Sequence, residues 1–213
     1  MNTKIKIPKT HIYLIRHGHT IWNDEDRMRG RIDVELSPAG LKQAQATRDV
    51  MHHIPLDRIY AGPLQRTMVT AQEIAQPHNL TPVPSLGFHD FDFGEWQGLL
   101  RTEIRERWAE LYHIYDQHPQ DFQAPGGETL PILQQRVFQE LNRLVLENQG
   151  RIIAVVSHSV TLQIVILALL GLGVELYWNL CQDQCCINEI THGSRGYTIV
   201  RLNDTGHLAT LRE

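Results

Sequence analysis

Four side chains suited to gripping a phosphate-like anion stand at three like positions of the chain: Arg16 and His17 in "IYLIRHGHT", Arg66 in "AGPLQRTMVTA" and His158 in "VVSHSVTL". A guanidinium presents a planar fork of N–H donors that matches two oxygens of a phosphate. An imidazole near neutral pH can serve as nucleophile or proton carrier. Taken singly, an arginine before a turn is a solvated side chain and a lone histidine is structural. Four of them at equivalent points of three similar units point to one site.

Such groups meet only if the backbone brings them together. Residues 11–15 ("HIYLI") form a short apolar run bounded by polar residues, which predicts a strand buried on both faces of a parallel sheet. Residues 57–61 repeat the plan, followed by the turn Gly62-Pro63 and a helix from about residue 64 with Arg66 in its first turn. Residues 152–156 repeat it again, giving way to Ser157-His158-Ser159 and a long apolar helix. In open α/β sheets ligands collect beyond the carboxyl ends of the strands. Helix N-termini there add partial positive charge. The pattern predicts an α/β fold: a single three-layer domain with a mostly parallel central sheet flanked by helices.

The 213 residues, 42% hydrophobic, suffice for one sizeable core. Ten prolines and fifteen glycines are scattered rather than gathered into a linker, and no repeat or low-complexity tract interrupts the chain, so one domain over residues 1–213 is expected. The net charge of -4 argues against a general affinity for nucleic acid, which makes any phosphate binding local. The longest apolar run, residues 160–174, is too short for a membrane span and contains Gln163, so it predicts a core helix and no membrane partner. In "MNTKIKIPKTHIYLI" lysines precede an apolar segment too short for a signal sequence, interrupted by Pro8, and a cytoplasmic protein is expected. Cys181, Cys185 and Cys186 are odd in number and confined to one region. They suit the filling of a late strand better than a disulfide framework or a metal site with His192.

The motifs together resemble the histidine phosphatase superfamily, which includes cofactor-dependent phosphoglycerate mutases and many small phosphatases. "RHGHTIWN" at residues 16–23 is similar to its signature, and "RMRGRIDVELSPAGLKQA" to the next block through Gly30, Asp33 and "LSPAG". The likeness continues in order through "PLQRTMVTA", "FDFGEWQG", "PGGET", "VVSHS" and "LNDTGHL". The resemblance implies a phosphoglycerate mutase-like fold and a metal-independent phosphomonoesterase acting on small phosphorylated metabolites, with no cofactor and with a small-molecule phosphate ester as partner. Homodimer formation is left open.

In that reading His17 is the nucleophile, its other ring nitrogen tied to a backbone carbonyl near Gly18, and a phosphohistidine forms and is hydrolysed. Arg16, Arg66 and His158 hold the non-bridging oxygens, and Thr20, Asn23, Gly30, Glu128 and Ser159 contribute substrate contacts. Phosphate-ester hydrolysis requires enhancements approaching ~10²¹-fold, whereas one general acid supplies ~10²–10⁴. Charge stabilisation and a covalent intermediate must therefore carry most of the rate.

The leaving group needs a proton. Asp90 is the expected acid and later base, at a position where many relatives carry glutamate, and Asp92 and Glu95 compete for the role. Other departures from the family pattern are Ser159 for glycine, Gln163 for arginine, Gly62 for serine and Arg29 for glutamine. The cluster "RMRGR" at residues 27–31 reads equally as a solvated loop or an anion clamp.

Residues 99–118 read as one amphipathic helix, with Ile104, Trp108, Leu111 and Tyr115 on one face and a Glu103–Arg107 pair, within a helical insertion at about 99–120 over the site. Thr129 reads as a helix cap. Trp22, Phe88, Phe91 and Trp96 could line a pocket or fill the core, and His52, His53, His78 and His113 read as surface. A phosphoglycerate mutase and a catalytically silent phosphate-binding module stand as alternative functions.

Overall fold

The protein is described here by a computed structural model covering residues 8–211. The lysines at positions 4 and 6 that entered the signal-sequence argument lie outside the described residues. Six strands form one sheet in the order β3-β2-β4-β1-β5-β6. They are β1 Thr10–Arg16, β2 Arg58–Ala61, β3 Val83–Pro84, β4 Ile152–Ser157, β5 Ile187–Gly193 and β6 Gly196–Asp204. β1, β2, β3 and β4 run parallel, while β5 lies antiparallel to both β1 and β6.

Successive side chains of a strand point to opposite faces, and both faces of the central strands are buried. Ile12 and Leu14 of β1, with Ile153 and Val155 of β4, pack toward α5 (Leu130–Glu147) and α6 (Ser159–Leu170). Tyr13 and Ile15, with Ala154 and Val156, pack toward α1 (Pro38–Met51) and α2 (Gln65–Ala75). Helix, sheet and helix make the three layers expected. α6 is buried nearly all round, as a strand-to-helix unit in the core must be. Thr129 caps α5, its side chain accepting from the Ile132 N–H.

Three expectations change. The segment at 99–118 is two helices, α3 (Arg101–Arg107) and α4 (Ala109–Gln117), broken at Trp108, whose φ of -135° and ψ of 51° leave the helical region. The break rotates the buried face, so Ile104, Tyr112 and Tyr115 are buried while Trp108 and Leu111 are only half-buried. Glu103 turns back to accept from the Leu100 N–H at 2.7 Å and caps α3 instead of pairing with Arg107. The β5–β6 hairpin went unforeseen, because its exposed Val200 and Leu202 give β6 no clean alternation. Finally, Cys185 and Cys186 are buried but precede β5 in a turn where Cys185 has a φ of 53°, and Cys181 is exposed. No group of three or more histidine, cysteine, aspartate or glutamate side chains is placed to hold a metal ion among the described residues. Nor is any described helix long and apolar enough to cross a membrane.

Candidate active site

The register of the sheet delivers the key groups. Arg16 pairs with Ser157 across β1 and β4, and Ala61 of β2 pairs with Val156, so the three strands end side by side. Their junctions therefore release His17, His158 and the first turn of α2 at one edge. The loop after β1 is drawn tight against the start of α1: a Cβ at Gly18 would meet the Gly40 carbonyl oxygen at 2.5 Å, and one at Gly40 would meet the His19 carbonyl oxygen at 1.9 Å. This contact fixes the backbone that carries His17. The Gly18 N–H in turn donates to Thr70 Oγ1 at 3.2 Å.

A cavity of about 230 Å³ opens at this edge, lined by Arg16, His17, Gly30, Asp90 and Ser159 among others. His17 Nδ1 lies 2.6 Å from the Gly18 carbonyl oxygen, which requires the proton on Nδ1 and leaves the Nε2 lone pair free. Burial, and after it the charge of Arg66, holds the His17 imidazole well below the usual histidine range, which favours the neutral ring at neutral pH. Arg16 donates from Nη1 to the Gln182 carbonyl, while its buried Nε has no hydrogen-bond partner.

Arg66 and His158 are placed behind the cavity wall, not on it. Arg66 is fully buried and donates to the Ile32 carbonyl at 2.8 Å, the Gly30 carbonyl at 2.6 Å, Asp90 Oδ2 at 2.9 Å and His158 Nδ1 at 3.3 Å. His158 Nδ1 is also 3.3 Å from Asp90 Oδ2. Arg66 thus gives four of its five N–H donors to acceptors of the protein, whereas the buried Nε2 of His158 has no hydrogen-bond partner. The reason is electrostatic: a buried guanidinium needs an anion, and Asp90 supplies it. Burial, with Arg66 next, also holds His158 well below its usual range.

Of the three acidic candidates, Asp90 lines the cavity and the other two do not. Asp92 is turned away, accepting from the Gly94 N–H at 2.9 Å and pairing with Arg31 at 3.1 Å, and Glu95 is exposed. Thr20 and Asn23 do not reach the wall; Asn23 Oδ1 accepts from the Thr20 N–H and hydroxyl at 2.9 and 2.8 Å, so their polar groups serve each other. Glu128 also lies off the wall, and binds Arg136 at 2.6 Å, Arg31 at 3.3 Å and the Asp92 N–H at 3.0 Å. Ser159 lies on the wall with its hydroxyl donating to the Gln182 carbonyl at 3.4 Å, and Gly30 contributes its carbonyl to Arg66. The "RMRGR" cluster divides: Arg27 and Arg29 line the cavity, and Arg31 braces the Asp90 loop.

The chain matches the histidine phosphatase superfamily (branch 1) over residues 12–205. It belongs to that superfamily. This histidine phosphatase is 32% identical over 197 residues to phosphoserine phosphatase 1 of Hydrogenobacter thermophilus, covering 92% of this chain and 93% of that one. Its fold is similar to the α-ribazole phosphatase from Shigella flexneri, with a TM-score of 0.84, 26% identity, and 91% and 96% of the two chains covered. It is also similar to Bacillus stearothermophilus YhfR, with a TM-score of 0.90, 24% identity, and 93% and 99% covered.

Several site residues of this histidine phosphatase escaped sequence reasoning. Arg101, Phe93, Tyr115, Tyr177 and Trp178 line the cavity, while Phe88, Phe91 and Trp96 are core and Trp22 lies under Arg27. Arg136 holds the loop of Asp90 through the Gly87 and His89 carbonyls at 2.9 and 3.1 Å. Nothing local marks an arginine in the middle of α5 as a brace for a loop some fifty residues earlier.

Proposed function

We propose that the protein hydrolyses small phosphate monoesters through a phosphohistidine on His17. The observation that carries the proposal is the His17 Nδ1 contact to the Gly18 carbonyl, which fixes the tautomer and leaves a neutral Nε2 at the cavity. Nε2 attacks phosphorus, the P–O bond to the alcohol breaks, and the leaving oxygen takes a proton from Asp90. Water then attacks the phosphorus of the phosphohistidine, Asp90 takes a proton from it, and the P–N bond breaks to release inorganic phosphate. Arg16, which lines the cavity and whose buried Nε has no partner, receives charge on the transferring oxygens. Arg66 and His158 act through Asp90 and through the one guanidinium N–H that Arg66 has left. A domain spanning residues 1–213, with the α3–α4 pair covering the site through Arg101 and Tyr115, completes the reading. The names of the relatives, a phosphoserine phosphatase and an α-ribazole phosphatase, support a small phosphorylated metabolite as substrate.

The test is hydrolysis of p-nitrophenyl phosphate in the presence of a chelator, comparing the unaltered protein with His17→Ala. Turnover lost in the variant, together with an acid-labile phosphoryl group trapped on the unaltered protein alone, is expected. Turnover that survives in the variant removes His17 as nucleophile.

A further inference from the structure

The cavity wall holds more positive charge than a phosphoryl group requires. Arg16, Arg27, Arg29 and Arg101 line it, against the single carboxylate of Asp90, which is already paired with Arg66. Three of the four have partners: Arg16 the Gln182 carbonyl, Arg27 the Glu25 carboxylate at 2.9 Å, and Arg101 the Asp26 carboxylate at 2.8 Å. The Arg29 guanidinium makes no hydrogen bond or ion pair with any described residue, although most of it is withdrawn from solvent. Burial, and then the like charge of Arg16, pulls it down to about 10. A largely buried guanidinium without a counter-charge is costly. On the same wall the buried Oε1 of Gln163 has no partner, since its amide nitrogen donates to the Leu180 carbonyl.

We propose that the alcohol part of the ester carries a carboxylate held by Arg29, with Gln163 Oε1 accepting from a neighbouring hydroxyl or amino group. This inference rests on the phosphatase reading and narrows it to phosphorylated hydroxy or amino acids. A phosphoryl dianion engages Arg16, the remaining Arg66 N–H and the unpartnered His158 Nε2, which leaves Arg29 as the cavity arginine with no hydrogen bond or ion pair of its own. A carboxylate matches its fork in both charge and shape. A neutral polyol could answer the Gln163 oxygen with a hydroxyl but would leave Arg29 without an anion.

The experiment measures inhibition of p-nitrophenyl phosphate hydrolysis by 3-phosphoglycerate and by glycerol 3-phosphate, which share a skeleton and differ by a carboxylate in place of a hydroxymethyl group. Competition does not require either ester to be a good substrate. In the unaltered protein 3-phosphoglycerate should compete about tenfold or more the better, the worth of one charge-assisted pair. Arg29→Gln should bring the ratio of the two inhibition constants close to one. Arg29→Lys, which keeps the charge without the fork, should retain part of it and controls for folding. Equal potency of the two esters on the unaltered protein, no competition by either, or a ratio untouched by Arg29→Gln overturns the carboxylate site while leaving the phosphatase intact. Absence of p-nitrophenyl phosphate turnover in the unaltered protein sinks the phosphatase reading itself.

Discussion

At the scale of single residues the site is a set of protons and charges whose positions are fixed by short contacts. His17 is held as one tautomer by one carbonyl, and Asp90 is held by Arg66 at 2.9 Å with its other oxygen accepting from the Phe91 N–H at 2.9 Å. If Asp90 is the acid, its value depends on how much help the leaving group needs. Asp90→Asn should lower kcat for an alkyl phosphate by ~10²–10⁴. For p-nitrophenyl phosphate, whose leaving group departs readily as an anion, the loss should be markedly smaller. Steady-state kinetics on the two esters checks this, and equal losses would assign the proton to another group. The aspartate and its place in the motif are plain in the sequence; the choice over Asp92 is not, because both lie in one irregular loop and only the pull of Arg31 and the Gly94 N–H turns Asp92 away.

At the scale of elements, the loop from His89 to Asp92 has no strand or helix of its own and is positioned from outside. Arg136 on α5 and Arg31 bind its carbonyls, and Glu128 bridges the two arginines and the Asp92 N–H. Glu128 therefore serves the site as a positioning residue, off the cavity wall. Removing Arg136 leaves the Gly87 carbonyl and much of the Glu128 charge unanswered, the His89 carbonyl keeping the Thr161 hydroxyl at 3.1 Å, a loss of ~1–3 kcal/mol in stability. Arg136→Ala is expected to unfold at lower urea concentration and to show a reduced kcat on p-nitrophenyl phosphate, with KM changed less. Because Asp90 rides on this loop, kcat is the parameter that reports its placement. An unchanged kcat in a destabilised protein would confine Arg136 to a structural role. The same scale explains the split of residues 99–118: a single amphipathic period was legible, but the turn at Trp108 that swings Tyr115 onto the cavity arises from packing among Trp96, Tyr112, Tyr115 and Phe122.

At the scale of the whole molecule, the fold buries two imidazoles at the strand ends of its sheet, His17 and His158. Burial, with Arg66 next, holds His17 and His158 well below their usual range, whereas in the unfolded chain each titrates near ~6.5. Between those values the unfolded chain binds protons that the folded protein does not. Folding stability is therefore complete above about pH 6.5 and falls as the pH drops below it, by up to ~1.4 kcal/mol per pH unit for each histidine. Urea midpoints at pH 7 and pH 5 test the slope. His17→Asn should lose less stability between the two than the unaltered protein, and an equal loss would mean that His17 is charged in the folded state.

The sequence by itself determined which chemistry this chain carries and the strands that deliver it. Short continuous apolar runs bounded by polar residues suit strands buried on both faces, and in a parallel sheet a cation or imidazole at the end of each gathers at the same edge. That argument placed Arg16, His17, Arg66 and His158 together, and the ordered motifs supplied the family. Only the tertiary structure decided which of them face the cavity. A buried guanidinium must find counter-charges wherever the fold brings them, so Arg66 pairs with Asp90 behind the wall and donates to His158 there, while Arg29, from a cluster equally readable as a solvated loop, is left on it without an ion pair. Spacing along the chain fixes the residues available to a site; the charges met across the fold, from segments far apart in sequence, fix which of them remain free.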